Sequence, residues 1–138
     1  MAFLLDTNVL SELRRSSKCE PQVWAWAQSV GDRSSYISVL SLGEIRKGIE
    51  VLRRRSPEQV SAFESWIEKL TAAYEDCILP ISEEVAEHWG RLDAMRNLPV
   101  IDGLLAATAL HYRLTIVTRN IHNFPDDMQL LNPWDFSS

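Results

Sequence analysis

Four short segments of this chain each place an oxygen-bearing side chain next to apolar residues. Three of these side chains are the carboxylates of Asp6, Glu44 and Asp102, and the fourth is the amide of Asn120. Three carboxylates brought to one site would repel one another and raise each other's pKa, a conflict that a divalent cation removes. Mg²⁺ and Mn²⁺ bind such oxygen ligands and retain several water molecules. These residue types therefore suggest activation of water by a metal ion for in-line attack on a phosphodiester.

The predicted strands place these residues at one edge of a sheet. Residues 3–5 form a short apolar run that predicts a buried strand, and Asp6 follows where the strand stops and a helix starts. Residues 36–38 and 115–118 predict two further strands, which lead to or end near Glu44 and Asn120. In an open α/β sheet, ligands bind at this edge.

The remaining predicted elements follow the same alternation of strand and helix. Residues 77–79 predict another strand, and residues 130–131 predict a short last one. Strands that alternate with helices imply a parallel sheet with helices on both faces. The 138 residues suffice for one domain, spanning 1–138. Helices are predicted at about 9–14, from Pro21, around residues 42–52, from the capping box at 56–59, from Ser82, and from Val100 to about Tyr112.

Each of the four polar residues also has a purely structural explanation. Asp6 would cap a helix by accepting backbone N–H bonds, and Glu44 fits a capping box with Ser41. Asp102 would offset the helix dipole in a first turn, and Asn120 would occupy a turn. Each of these explanations suffices for its own residue. Taken together they are weaker, because three carboxylates that meet at one place need a partner of opposite charge.

Composition excludes several other classes of protein. A net charge of −5 argues against an indiscriminate nucleic-acid binder, although basic residues cluster locally. No apolar run approaches the ~20 residues of a membrane span, and no basic leader is seen before the first apolar residues, so we expect neither an anchor nor a signal peptide. We expect Cys19 and Cys77 to be free thiols in a reducing cytoplasm. The spacing of the three histidines does not suggest zinc.

Several longer motifs together resemble one known family, the PIN-domain ribonucleases, and within it the VapC/FitB type of bacterial toxin. Any one motif is weak, but their order and spacing extend from residue 4 to residue 134, nearly the whole chain. The motifs are Leu4-Leu5-Asp6-Thr7-Asn8-Val9-Leu10-Ser11-Glu12, Ser41-Leu42-Gly43-Glu44-Ile45-Arg46-Lys47-Gly48-Ile49, Ile101-Asp102-Gly103-Leu104-Leu105-Ala106-Ala107-Thr108-Ala109, Leu114-Thr115-Ile116-Val117-Thr118-Arg119-Asn120 through Phe124, and Asn132-Pro133-Trp134.

The resemblance implies a fold and an activity. The fold is a PIN-like three-layer α/β/α arrangement with a central, mostly parallel sheet of four to five strands, and the activity is that of a Mg²⁺- or Mn²⁺-dependent endoribonuclease. By motif position Asp6, Glu44 and Asp102 match the acidic triad, with Asp6 and Asp102 as direct metal ligands. Asn120 matches a fourth position that is often Asp, and the amide keeps an oxygen ligand but lacks charge. Supporting hydroxyls near the metal are matched by Thr7 and Thr118.

The resemblance also implies partners. Members of this group act on RNA in the cytoplasm, usually form homodimers, and are inhibited by a small VapB/FitA-type antitoxin whose tail inserts an Arg into the acidic pocket. Contact with DNA is then indirect, through the antitoxin. We further expect that the five tryptophans cannot all lie deep inside, and that Trp24 or Trp26 lines a homodimer or antitoxin interface. An RNA substrate would also need a basic rim around the acidic pocket. The rim candidates are Arg14, Arg15, Arg46, Lys47 and Arg119.

Two other functions fit parts of the pattern. One is a non-catalytic PIN-fold module that binds RNA or a protein partner, for which three intact carboxylates would be superfluous. The other is a phosphatase or phosphoacceptor domain with Asp6 as nucleophile, but position 8 is Asn where a second Asp is wanted, and no phosphate-binding Lys is evident. The sequence does not identify the RNA that would be cleaved.

Overall fold

A parallel sheet of five strands forms the middle layer of the protein, in the order β3-β2-β1-β4-β5. The computed structural model describes residues 1–31 and 34–137. All four strand pairings are parallel, as predicted. The strands are β1 (Phe3–Leu5), β2 (Ser35–Ser38), β3 (Ile78–Leu79), β4 (Thr115–Val117) and β5 (Leu130–Leu131). The helices are α1 (Thr7–Leu13), α2 (Pro21–Val30), α3 (Val39–Arg55), α4 (Val60–Ala73), α5 (Glu83–Met95) and α6 (Val100–Tyr112).

Side chains on the two faces of the sheet form two separate cores. Successive residues of a strand point to opposite faces, so Phe3 and Leu5 pack with residues of α1 to α4, whereas Leu4 packs with Leu105 and Ala106 of α6. The central strands β1 and β4 are buried along their whole length. The predicted three-layer α/β/α arrangement is therefore confirmed.

The start of α3 differs from the prediction. The side chain of Ser38 caps this helix by accepting a hydrogen bond from the Leu40 N–H at 3.0 Å. Ser41 and Glu44 consequently lie inside the helix, and the capping box proposed for them is wrong. A cap at the last residue of β2 makes the strand pass directly into the helix, which frees the Glu44 side chain for contacts outside α3.

The predicted capping box at residues 56–59 is also wrong. Ser56 ends α3, where its N–H bonds the Leu52 carbonyl at 2.7 Å, and its side chain makes no capping hydrogen bond. A 3-10 turn over Pro57–Gln59 then precedes α4. By contrast, Ser82 caps α5 by accepting from the Val85 N–H at 3.2 Å, and Pro99 directly precedes α6, both as predicted.

The tryptophans divide between core and surface. Trp26 is 2% exposed and meets Phe3 edge to face, with ring centroids 5.3 Å apart. Trp24, two residues earlier on α2, is 39% exposed. The five tryptophans therefore do not all lie deep inside, as expected. None of the helices in the part of the chain that the structure describes is long and apolar enough to cross a bilayer.

Helices α5 and α6 make a close contact where the Trp89 side chain lies over Gly103. A Cβ at residue 103 would lie 3.1 Å from Nε1 and 3.2 Å from Cδ1 of that indole. The contact lies one residue after Asp102, in the first turn of α6. The absence of a side chain at residue 103 therefore allows α5 to pack against the turn that carries Asp102.

Alanine substitutions at two helical glycines should change stability in opposite directions. Gly103→Ala should destabilise the protein by ~1–3 kcal/mol, because the indole or a helix must move. Gly90→Ala on α5, where a Cβ meets nothing within 4 Å, should stabilise it by ~0.5–1 kcal/mol through helix propensity alone. Urea unfolding of both variants measures the difference. Equal effects of the two substitutions would contradict the packing described here.

Candidate functional site

The candidate site lies where strand order reverses, between the neighbouring strands β1 and β4. The chain moves from β1 to β2 on one side and later returns to β4 on the other. In open α/β sheets a crevice forms at the carboxyl ends of the strands at such a switch point. Asp6 directly follows β1, and its N–H bonds the carbonyl of Val117, the last residue of β4. The ends of the two strands are thus tied together at the backbone.

Asp6 is held at this point by hydrogen bonds to both of its carboxylate oxygens. Its side chain is almost buried, with 8% exposure. One carboxylate oxygen accepts a hydrogen bond from the Thr7 N–H at 2.7 Å, so Asp6 does cap α1. The other accepts from the hydroxyl of Thr118 at 2.8 Å. The capping role and a role at the site therefore occur together, because each uses a different oxygen.

Glu44 reaches the same region from α3. Its Oε1 accepts a hydrogen bond from the hydroxyl of Thr7 at 2.6 Å, across 37 positions of sequence. Glu44 is exposed, unlike Asp6. Since Thr7 is bonded to Asp6 through its N–H and to Glu44 through its hydroxyl, this one residue holds both carboxylates in fixed relation.

Asp102 completes the acidic cluster from the first turn of α6. Burial raises the pKa of the Asp102 carboxyl, and the negative charges of Asp6 and Glu44 raise it further. A hydrogen bond with the side chain of Asn123 acts in the opposite direction on the same pKa. Asp102 is therefore close enough to both other carboxylates for their charges to affect its ionisation.

Asn120 is brought to the edge of the site by its backbone. Its N–H donates to the Thr118 hydroxyl oxygen at 3.1 Å, and its side chain is exposed. Within residues 1–31 and 34–137, no hydrogen bond joins its amide to any of the three carboxylates. A direct role for this amide in the site remains a prediction.

Asn8 is a site residue that sequence reasoning did not single out. Its side-chain nitrogen lies 3.4 Å from Asp6 Oδ2 and 3.4 Å from Thr118 Oγ1, and its side-chain oxygen accepts from the Arg119 N–H at 3.3 Å. It thus joins the start of α1 to the segment after β4. Its position two residues after Asp6 was the only available signal, because its partners lie 110 and 111 positions away.

The donor set fits a hard divalent cation. Carboxylate and hydroxyl oxygens dominate, and no His or Cys takes part in the contacts described above. Among the residues that the structure describes, no three Asp, Glu, His or Cys side chains form a ready-made metal-binding group. Mg²⁺ typically binds to one or two carboxylates and keeps its remaining waters, rather than occupying a complete cage of protein ligands. A cation bound here would offset both the burial of the Asp102 carboxylate and the negative charges of Asp6 and Glu44 beside it.

The five basic rim candidates differ in what surrounds them. Arg15 pairs with Glu12 at 3.2 Å, and Arg46 pairs with Glu64 at 2.8 Å. The positive charges of these two arginines are thus partly neutralised by the paired glutamates. The Arg14 guanidinium lies over the ring of Phe63 at 4.2 Å and that of Arg119 over Trp134 at 5.0 Å, while Lys47 borders a recess shared with Glu44.

Comparison with known proteins identifies close relatives. The family model for the PIN domain matches residues 3–126. The chain is 31% identical to Toxin FitB of Neisseria gonorrhoeae, over 96% of this chain and 98% of that protein. It is 35% identical to Ribonuclease VapC14 of Mycobacterium tuberculosis over 68 residues, which cover 49% of this chain and 65% of that protein. The crystal structure of FitAcB from Neisseria gonorrhoeae superimposes with a TM-score of 0.86 at 28% identity, covering 97% of this chain and 99% of that one.

Removing the Asp102 charge should stabilise the metal-free protein. Asp102→Asn abolishes the repulsion from Asp6 and Glu44 and the cost of burying the charge, so thermal unfolding in EDTA at neutral pH should show a gain of ~0.5–2 kcal/mol. Asp76→Asn is the control, since this exposed carboxylate lies just before β3, at the opposite edge of the sheet. A loss of stability in Asp102→Asn would show that the three charges do not oppose folding.

Proposed function

The chain belongs to the PIN-domain family, and we propose that it is a metal-dependent endoribonuclease that acts as the toxin of a toxin–antitoxin pair. The observation that carries this proposal is the convergence of Asp6, Glu44 and Asp102 at the switch point of the sheet, where their charges interact. The likeness to Toxin FitB over nearly the full length of both chains supports the toxin role. The likeness of about half of the chain to Ribonuclease VapC14 supports the activity.

Asp6 and Asp102 would hold one Mg²⁺ or Mn²⁺ in this pocket. When bound, such an ion activates water and stabilises negative charge that develops on a phosphate. Asp6 is suited to this task because Thr7 and Thr118 fix both of its oxygens in orientation. Thr118 is fully buried and cannot easily move away. Asn120 would contribute at most an uncharged oxygen, which favours one strong cation site over two.

Glu44 would orient the attacking water and take up a proton from it. It suits this role because it is exposed, and because the Thr7 hydroxyl holds one of its oxygens and leaves the other to face solvent or substrate. A carboxylate used in this way must be ionised at working pH. Loss of the Thr7 hydroxyl would remove the hydrogen bond that orients Glu44 but would not remove the carboxylate itself.

The proposed partners follow from the same site. An antitoxin of the VapB/FitA type would place a cationic side chain among the three carboxylates, where charge-assisted hydrogen bonds are strong. Contact with DNA would then be indirect, through the antitoxin. A homodimer is also proposed, and Trp24, Val51 and Val100, which are 39%, 47% and 60% exposed, are the candidate interface residues. Sedimentation velocity at micromolar concentration tests this assembly.

A non-catalytic binding module is the alternative function. It would have to keep three mutually repelling carboxylates, one of them with its pKa raised by burial, at a cost in stability and with no chemistry to justify it. The phosphoacceptor alternative is less compatible with the geometry, because Asn8 and Thr118 both donate to Asp6 Oδ2 and the Thr7 N–H donates to Oδ1, so neither oxygen is free of a donor. We therefore favour the nuclease.

Asp6→Asn should abolish Mg²⁺-dependent cleavage of RNA while the fold is retained. The amide loses the charge that holds the cation, and a loss of 10³-fold or more is expected for removal of ~4 kcal/mol of transition-state stabilisation. Cleavage is measured by mapping new RNA ends after brief induction in cells and by gel assay with purified protein. Asp76→Asn, with the same chemical change outside the site, should cleave like the wild type. Near wild-type cleavage by Asp6→Asn would reject the mechanism and favour the binding module.

Cation and antitoxin should compete for the pocket. Mn²⁺ bound to the wild type should be detected by electron paramagnetic resonance, and Asp102→Asn should weaken its affinity by about 10- to 100-fold. Addition of the cognate antitoxin should release the Mn²⁺, because its cationic side chain would neutralise the same carboxylates. Simultaneous binding of antitoxin and Mn²⁺ at full occupancy would show that the antitoxin acts elsewhere.

A further inference from the structure

We propose that Arg119 is the phosphate-binding residue of the basic rim, held for this purpose by Trp134 and by the side chains of Asn8 and Asn132. This inference rests on the proposed function, since the ligand is single-stranded RNA entering the acidic site. It goes beyond that function by assigning the contact that draws a polyanion to a negatively charged pocket.

Three contacts restrict Arg119 on both its backbone and its side chain. Its N–H donates to Asn8 Oδ1 at 3.3 Å, and its carbonyl accepts from Asn132 Nδ2 at 3.4 Å. Its guanidinium carbon lies 5.0 Å from the centre of the Trp134 ring, in cation–π range. An exposed Arg normally loses much rotamer freedom when it binds a ligand. Here part of that entropy is already lost in the folded protein, so binding costs less.

The position of Arg119 connects it directly to the acidic cluster. It immediately follows Thr118, whose hydroxyl bonds Asp6 at 2.8 Å. The same Asn8 that accepts from the Arg119 N–H lies 3.4 Å from the Asp6 carboxylate through its nitrogen. The backbone of Arg119 therefore lies next to the acidic cluster, and its side chain starts from that point rather than from a remote surface.

Two of the other four rim candidates are less suitable for this contact. Arg15 and Arg46 already pair with Glu12 and with Glu50 and Glu64. Within the described part of the chain, Arg119 has no carboxylate partner at ion-pair distance, and its side chain is exposed. A planar guanidinium also suits a phosphodiester, because two parallel N–H groups can bond two phosphate oxygens while one face stays on the aromatic ring.

Trp134 itself is half-buried and packs against the core on the α1–α4 side of the sheet. A ring fixed in this way is a rigid support for the cation. The outer face of the guanidinium remains open, and nucleobases of unpaired RNA stack on such planes. The pair would thus favour flexible single strands over a regular duplex, whose bases are not exposed for stacking.

Fluorescence anisotropy with a labelled random-sequence single-stranded RNA tests the proposal. All variants are made in the Glu44→Gln background in Mg²⁺, so that the RNA stays intact. Arg119→Gln should weaken binding about tenfold, the size of one charge-assisted hydrogen bond. The slope of log K against log salt should also fall by about 0.7, the value for one phosphate contact on a single strand. Arg55→Gln, which removes the same charge from the far end of α3, should change neither quantity appreciably.

Two further variants test the support given by the ring. Arg119→Lys keeps the charge but loses the planar stack, and should bind RNA severalfold less tightly than the parent. Trp134→Phe should retain binding because an aromatic face remains, whereas Trp134→Leu should approach Arg119→Gln. Thermal unfolding verifies that each variant is folded. If Trp134→Leu is not folded, the Arg119 variants alone test the proposal.

Equal binding by Arg119→Gln and Arg55→Gln, or no RNA binding by the parent, would overturn the proposal. Cleavage assays separate this result from a failure of the proposed function. If the wild type cuts RNA, Arg119→Gln should raise KM with little change in kcat, because the contact is made in both ground and transition states. If the wild type does not cut but Arg119→Gln still weakens binding, the nuclease assignment fails and the RNA contact stands.

Discussion

The fold must hold three mutually repelling carboxylates together at the end of a parallel sheet, and the rest of the structure depends on this constraint. Asp6 directly follows β1, Glu44 lies on α3 and Asp102 on α6, so each reaches the site from a different part of the fold. Burial of Asp102, and after it the charges of Asp6 and Glu44, raise the pKa of the Asp102 carboxyl, so keeping this group ionised in the folded protein opposes folding. The two hydrophobic cores must supply the free energy that offsets it, and both meet at the central strand β1, through Leu4 on one side and Leu5 on the other.

Hydroxyl groups and amides fix the acidic side chains without neutralising them. Thr7 and Thr118 donate to Glu44 and Asp6, and Asn8 adds weaker contacts to the same network. Uncharged donors hold the oxygens in place but leave the negative charge available to a cation. An Arg or Lys in these positions would neutralise the carboxylates and would occupy the proposed cation site. The same logic explains how an antitoxin that carries such a side chain could inhibit.

The basic residues fall into two groups, those that pair with glutamates and those that lie over aromatic rings. Arg15 pairs with Glu12, and Arg46 and Arg53 on α3 form a surface network with Glu50 and Glu64. Exposed pairs of this kind contribute little to stability because solvent screens them, but they reduce the positive charge that is left unpaired on the surface. Arg14 and Arg119 instead lie over aromatic rings, which leaves their charge unmatched. The net charge of −5 therefore does not describe the surface that surrounds the site.

The sequence by itself was sufficient for the strands, the three carboxylates and the family. Each of these follows from a local pattern: an apolar run followed by Asp6, a helix start at Pro99 just before Asp102, and motifs of several residues in fixed order. The tertiary structure decided what depends on distant partners. The cap of α3 is Ser38 and not Ser41, because β2 passes directly into the helix. Asn8 belongs to the site only because β4 lies beside β1, 110 positions later in sequence. Which arginines keep an unmatched charge was likewise undetermined, since short-range spacing does not reveal a glutamate or an aromatic ring that packs from another helix.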